Sequence, residues 1–129
     1  LFTRAKNYEQ KGETNYAVAD YKTLSTNCMD EYGAEAKYRV AEYAFHDGNK
    51  EIAEKTIFEF IEKNTPHQYW LAKSCVLLSD IYVSMDREFE AKQYLLSVRE
   101  NYKGKDDIAL EIKSRLDDIE ARENNKIKE

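Results

Sequence analysis

The side chains best suited to catalysis or metal binding are few in this 129-residue chain, which has two histidines and two cysteines. Neither His46 nor His67 lies four residues from another histidine, a cysteine or a pair of carboxylates. A zinc site needs three or four convergent ligands, so this spacing predicts no metal site. A nucleophile, base and acid would have to be assembled from Cys75, His46 and Asp80. Since free cysteines are usually buried and a buried thiol is inert, we expect no enzymatic activity.

Signatures of a disulfide framework or a cofactor are also missing from the sequence. Cys28 and Cys75 are too few and too far apart for a Cys-x-x-Cys site or a set of bridges, and we expect two buried, unbridged thiols. The four glycines are isolated residues of turns or caps, whereas a phosphate-binding loop needs them clustered. They are Gly12, Gly33, Gly48 and Gly104. The sequence therefore predicts no cofactor.

Charge and hydropathy exclude two classes of partner. Twenty basic and 25 acidic side chains give a net charge of −5 and are mixed along the chain, so we expect no binding to nucleic acid or to anionic membranes. No apolar run approaches the 18 residues of a spanning helix, which predicts no membrane insertion. The first residues lack the pattern of a secretory signal, and the chain begins without Met. We expect it to be a fragment of a longer protein.

The composition predicts an all-α fold. Apolar residues make up 42% and charged residues 35%, while the chain has only four Gly and one Pro. A β-sandwich or barrel of this length needs many Gly- or Pro-rich corners, and a parallel sheet needs buried Val- and Ile-rich strands. Neither pattern is present. The length suits one domain, over residues 1–129, with one continuous core.

A repeat of 36 and then 38 residues organises the chain into three units, at about 1–32, 33–66 and 67–104. Five equivalent positions align without a gap. They read Tyr8-x3-Gly12-x4-Ala17-x3-Tyr21-x2-Leu24, then Ala44-x3-Gly48-x4-Ala53-x3-Ile57-x2-Phe60, then Tyr82-x3-Asp86-x4-Ala91-x3-Leu95-x2-Val98. Each unit predicts a helix, a tight polar turn and a second helix, with a small Ala where two helices approach closely.

Local signals place the remaining boundaries. Thr65-Pro66-His67-Gln68 predicts a helix start with Thr65 as N-cap, Pro at the first helical position and Gln three residues after the cap. After Gly104 a last helix is expected over 105–122, with a single apolar stripe on a charged rod. The stripe contains Ile108, Ile112, Leu116 and Ile119. Residues 123–129 lose this pattern, and we expect a frayed tail.

The middle unit resembles the tetratricopeptide repeat, through Ala34-Glu35-Ala36-x-Tyr38-x-Val40-Ala41-x2-Ala44-x3-Gly48-x4-Ala53-x3-Ile57-x2-Phe60. The first unit is truncated and the third is degenerate. The resemblance implies a right-handed superhelical array of antiparallel helix pairs, an α-solenoid, closed by a C-terminal capping helix. The stretch from Thr65 to Tyr102 also resembles long repeat proteins of Bacteroidetes cell envelopes. That likeness favours the periplasm or cell envelope, with the cytoplasm as the alternative.

In this family the first helices of successive units line a concave groove that holds a peptide or a partner's helix. The positions that the resemblance carries over to this groove are Lys6, Glu9, Glu35, Tyr38, Glu42, Phe45, His46, Lys73, Val76, Asp80 and Val83, together with Phe2, Gln10 and Ser84. Tyr38 and Phe45, seven residues apart, could offer an aromatic ledge to a ligand, or could pack on the next unit. Of the cations with which the family clamps a carboxylate tail, only Lys73 is matched outright, so we do not expect a chaperone-tail receptor.

These patterns predict a non-enzymatic interaction module or scaffold that binds another protein or a peptide. The alternative is a homotypic assembly domain that pairs through its exposed N-terminal end or its convex face. The N-terminal end begins within a helix, and we expect its apolar side chains to face a missing unit and to favour self-association. They are Leu1, Phe2, Tyr8 and Tyr16.

Overall fold

The chain is all-helical in a computed structural model that describes residues 1–128, which form seven helices and no strand. The helices are α1 (Phe2–Gln10), α2 (Thr14–Leu24), α3 (Glu31–His46), α4 (Lys50–Glu62), α5 (Gln68–Ser84), α6 (Glu88–Asn101) and α7 (Asp107–Lys128). The predicted fold class is confirmed at this level. The chain divides into two compact units, Leu1–Ser74 and Cys75–Glu129, with the division inside α5.

The three predicted repeat turns share one backbone geometry. Gly12, Gly48 and Asp86 all have left-handed backbones, with φ of 76°, 84° and 57°. In each turn the next residue donates its N–H to a carbonyl five residues earlier, at 2.8–2.9 Å. The accepting carbonyls are those of Tyr8, Ala44 and Tyr82. This is the Schellman arrangement, in which a residue with positive φ ends one helix and starts the chain back toward it.

The other repeat positions supply the helix contacts. Ala17, Ala53 and Ala91 are each fully buried, as are the large side chains four residues further on. These are Tyr21, Ile57 and Leu95. Within the compact unit Leu1–Ser74, α1 packs on α2, α2 on α3 and α3 on α4. Within the other compact unit, α6 packs on α7. The small alanines let neighbouring helices approach, as the sequence predicts.

The connections at both ends of the α3–α4 pair meet through buried polar groups. Thr65 Oγ1 donates to the Cys28 carbonyl at 2.7 Å and accepts from the His67 N–H at 3.2 Å. The Gln68 side-chain amide donates to the Thr65 carbonyl at 2.8 Å. The predicted helix start is therefore wrong: α5 begins at Gln68 and not at Pro66, so Thr65 is not its N-cap. Thr65 instead ties the approach to α5 to the α2–α3 connection.

Gly33, in the first turn of α3, lies against this α2–α3 connection. Its N–H donates to the Asp30 side chain, which caps the helix. A Cβ at Gly33 would lie 1.8 Å from the Asn27 carbonyl oxygen, so only glycine allows the two backbones to approach this closely.

The last helix is longer than predicted. It begins at Asp107, with the Ile108 N–H bonded to Asp106 Oδ1 at 3.1 Å, and continues to Lys128 where we had expected fraying after Arg122. Ion pairs between Arg122 and Glu88 and between Glu123 and Lys92 hold this second half of α7 against α6. Of the predicted stripe, Ile108, Ile112 and Ile119 are buried and Leu116 is half-buried. Position 129 lies outside the described residues.

Candidate interaction surface

Eight of the predicted groove residues lie in the compact unit Leu1–Ser74, on α1, α3 and the first half of α5. We call this surface the first-helix face. Its predicted members are Lys6, Glu9, Glu35, Tyr38, Glu42, Phe45, His46 and Lys73. The structure joins five of them, Lys6 to Glu42, into a network of hydrogen bonds and ion pairs with three side chains that sequence reasoning had not assigned to the site. Those three are Tyr21, Arg39 and Tyr43.

Glu9 is the acceptor that joins α1 to α2 and α3. Its carboxylate accepts hydrogen bonds from the hydroxyls of Tyr21 and Tyr43, the latter at 2.5 Å. Burial alone would raise the pKa of Glu9, but the two hydroxyls and the nearby positive charge of Lys6 outweigh it and the pKa lies below its ordinary value. Burial and the same carboxylate raise the pKa values of Tyr21 and Tyr43. Glu9 is therefore held ionised and the two phenols are held neutral.

Arg39 organises the middle of the face. Its guanidinium lies 3.4 Å from Glu35 and 3.2 Å from Glu42, and Lys6 Nζ reaches Glu35 from α1 at 2.7 Å. Burial alone would lower the pKa of Arg39, but the carboxylates of Glu42 and Glu35 outweigh it and raise the pKa, so the cation is firmly held. Arg39 is held by carboxylates one helical turn away on either side, Glu35 at i−4 and Glu42 at i+3. This spacing can be read from the sequence.

Tyr38 is not available as a ledge for a ligand in this structure, since only 7% of it is exposed. Its ring packs on Trp70 of α5 with centroids 5.7 Å apart, and its hydroxyl donates to Glu42 at 2.9 Å. The Arg39 guanidinium lies over both rings, 5.4 Å and 5.7 Å from their centroids. Packing on a neighbouring element, the alternative we had weighed for Tyr38, is what the structure shows.

Phe45 and His46 form the accessible end of the first-helix face. Phe45 is half-buried and His46 is exposed, and their rings meet edge to face with centroids 6.1 Å apart. They lie in the last turn of α3, beyond the ion pairs. A ligand on this face can therefore make an aromatic contact with Phe45 and His46.

Of the three predicted groove residues within residues 75–128, Val76 and Asp80 are engaged by their own chain and Val83 is half-buried. Val76 is buried, with 2% exposure. Asp80 is held by two hydrogen bonds from Arg115 of α7, at 2.7 and 2.9 Å. Val83 and Arg115 line a small cavity of about 130 Å³. Sequence reasoning missed Arg115, because a long side chain on a different helix leaves no mark in the spacing around Asp80.

The structure places the two thiols and the possible metal ligands of the described residues. Within residues 1–128 no group of three or more His, Cys, Asp or Glu is placed to hold a metal ion. Burial raises the pKa of the Cys75 thiol to about 11, so it is protonated at neutral pH and is a poor nucleophile. Cys28 is buried and Cys75 is half-buried, and both are free thiols. None of the described helices is long and apolar enough to cross a membrane.

Comparison with known proteins identifies no relative of this chain. No family model, no curated protein and no solved structure matches the chain. The surface's own contacts and charges therefore have to supply the basis for a functional proposal.

Proposed function

We propose that this chain is a non-enzymatic protein-interaction module of the tetratricopeptide type, which binds a peptide or a helix of a partner through the first-helix face. The observation that carries the proposal is the recurrence of one turn geometry at Gly12, Gly48 and Asp86, each followed by a fully buried Ala five residues on. Stacked helix pairs of this kind present the side chains of their first helices as a continuous surface.

The chemistry of the first-helix face fits a polar ligand with one apolar anchor. Its charged side chains are balanced, with Lys6, Arg39 and Lys73 against Glu9, Glu35 and Glu42. Hydrogen bonds and ion pairs within the network hold all of these groups except Lys73 in fixed positions before a ligand arrives, which reduces the entropy lost on binding. Phe45, beside the exposed His46, supplies the apolar contact. A peptide with alternating charge and one large apolar side chain matches this arrangement.

A displayed library of random peptides, selected on the purified chain, tests this function. Selected peptides should shift the backbone amide resonances of α1 and α3, and Phe45→Ala should weaken their binding at least about tenfold, as expected for the apolar anchor of the face. Ile52→Ala is the matched control, because Ile52 is an exposed apolar residue of α4, outside this face. Peptides that bind Phe45→Ala as tightly as the parent chain, or that shift only resonances outside α1 and α3, would refute the proposal.

A homotypic assembly domain is the second candidate, and the exposed N-terminal end favours it. Leu1, Tyr16 and Tyr32 are all more than half exposed. Phe2 and Tyr8, which we had expected to face a missing unit, are half-buried and packed against the α1–α3 core instead. Phe2 also stacks on Tyr32, with ring centroids 4.7 Å apart.

Sedimentation of the double variant Tyr16→Ser and Tyr32→Ser tests this second function. The variant should associate more weakly than the parent chain at the same concentration, because it loses exposed aromatic area at this end. Ile52→Ser is the control for a general change in surface polarity. Equal association of the parent chain and the double variant would exclude this end as the interface.

A further inference from the structure

The second unit has an open groove between α6 and α7, with a volume of about 620 Å³. Its floor is apolar and includes Leu96, Ile112 and Leu116, and charged side chains stand along both walls. This α6–α7 groove belongs to residues 75–128. It shares no residue with the first-helix face or the N-terminal end, so the inference below does not depend on the proposed function.

The two helices run in opposite directions along the groove. Glu88, at the start of α6, pairs with Arg122 near the end of α7, and Lys92 pairs with Glu123. Arg99 lies in the last turn of α6 and Glu120 in the second half of α7. Arg99 and Glu120 therefore stand at opposite ends of the groove, with Leu96 and Leu116 between them.

The walls contain one unpaired charge of each sign. Lys113 is paired with Asp117 at 2.9 Å, and Lys92 with Glu123 at 3.5 Å. Arg99 and Glu120 have no ion-pair partner among the residues that the structure describes. Charges that line an apolar groove and lack partners are suited to pair with charges brought by whatever covers the groove.

We propose that two copies of this chain pair groove to groove around a two-fold axis. When the two-fold axis lies between the facing grooves, at their centre and perpendicular to the line from Arg99 to Glu120, it brings Arg99 of each copy to Glu120 of the other and places Leu96 and Leu116 at the centre. The same surface then serves both copies, which is the requirement for a closed, isologous dimer. No other molecule is needed to satisfy both charges.

Exposed apolar side chains extend the floor of the groove. Phe89, which is 73% exposed, precedes Leu96 by seven residues, two helical turns along the same side of α6. Ile127, which is 82% exposed, follows Ala109 of the groove wall by 18 residues, five full turns along α7. Exposed side chains of this size beside an apolar groove are typical of an interaction surface.

Charge reversal at Arg99 and Glu120 tests the dimer without changing its apolar centre. Sedimentation equilibrium of the parent chain from about 1 to 200 µM should give a monomer–dimer equilibrium. Arg99→Glu and Glu120→Arg should each weaken the homodimer at least about tenfold, because each variant places two pairs of like charges in contact. Lys22→Glu is the matched control, since Lys22 is likewise a basic residue in the last turn of its helix, α2, and lies outside the groove.

The decisive measurement is an equal mixture of the two charge-reversed variants. In a two-fold dimer one copy brings two acids and the other two bases, so both ion pairs form again and a heterodimer should appear with about the parent's affinity. Circular dichroism of each variant should match the parent chain, because both residues lie at the groove walls. A parent chain that stays monomeric at 200 µM, leaving the groove to another protein, would overturn the proposal. So would a dimer that the single reversals do not weaken, or that the mixture does not restore.

Discussion

Gly33→Ala tests the closest backbone approach in the first unit, where the first turn of α3 lies against the α2–α3 connection. The added Cβ would lie 1.8 Å from the Asn27 carbonyl oxygen, whereas real Cβ contacts are essentially never below 3.0 Å. The connection would therefore have to move by about 1.2 Å or more. Because the obstacle is backbone, no change of side-chain rotamer can relieve the contact.

The expected loss of stability follows from what that movement disturbs. Displacing Asn27 also displaces Cys28, whose buried carbonyl accepts from Thr65 and whose side chain packs with Ala34 and Phe60. Leaving a buried polar group unpaired costs about 1–3 kcal/mol, and overpacking costs about 1–3 kcal/mol. Alanine recovers about 1 kcal/mol through its higher helix propensity. We expect a net destabilisation of about 1–5 kcal/mol.

Urea unfolding followed by circular dichroism gives the comparison directly. Gly104→Ala is the matched control: its Cβ would meet the side chain of Tyr102 at 2.2 Å, and that side chain can swing toward solvent. We expect its cost to stay below about 1 kcal/mol. If Gly33→Ala were as stable as the parent chain or more so, helix propensity would outweigh the contact, and the described packing of α3 on Asn27 would be refuted.

Four further predictions concern single positions. Asp86→Gly should raise the free energy of unfolding by about 0.5–1 kcal/mol in urea titrations, because φ at Asp86 is 57° and relief of about 1–2 kcal/mol of left-handed strain outweighs the roughly 0.4–1 kcal/mol that glycine costs through the entropy of the unfolded chain. Ala53→Leu should lower it by about 1–3 kcal/mol, since Ala53 is fully buried, while Leu at the exposed Ala19 should leave it within about 0.5 kcal/mol. Glu9→Gln should flatten the acid side of the stability curve: the folded pKa of Glu9 lies below its unfolded value of 4.5, so its contribution is present above pH 4.5 and is lost as the pH falls through the folded value. Native Cys75, with a pKa of about 11 against 9.0 for a free thiol, should react with iodoacetamide at pH 7.5 on the order of a hundredfold more slowly than in urea, and a similar rate in both states would refute its burial.

The helices and their turns could be predicted because they depend on local chemistry. Gly12 and Gly48 stand where a helix must end with positive φ, and the alignment placed Asp86 at the same position even though it is not glycine. The buried alanines followed from the same alignment. The second half of α7 could not be predicted, because its support comes from Glu88 and Lys92 of another helix rather than from its own periodicity.

The candidate site was predictable as a set of positions but not as a set of accessible side chains. The family resemblance selected Glu9, Glu35 and Glu42, and the structure joins them in one network. Which of these carboxylates already have hydrogen-bond or ion-pair partners depends on long side chains from other helices or from other turns of the same helix. Asp80 illustrates this, since the resemblance places it in the groove as a ligand contact, whereas Arg115 holds it with two hydrogen bonds. Removing Asp80 would leave that guanidinium without its carboxylate.

The way in which α1 is attached makes the first-helix face responsive to ionic strength. This helix has nine residues, no side-chain cap at its N-terminus and a single buried residue, Ala5. A helix of that length is not stable alone in water, so its order depends on docking. Much of the docking is ionic: Arg4 binds Asp20 at 2.6 and 2.8 Å, and Lys6 binds Glu35. Dissolved ions screen such pairs, so salt should speed hydrogen exchange of the α1 amides more than that of the α3 amides. Local opening at this edge would release Glu9 from the tyrosine hydroxyls and change the shape of the surface offered to a ligand while α3 stays folded.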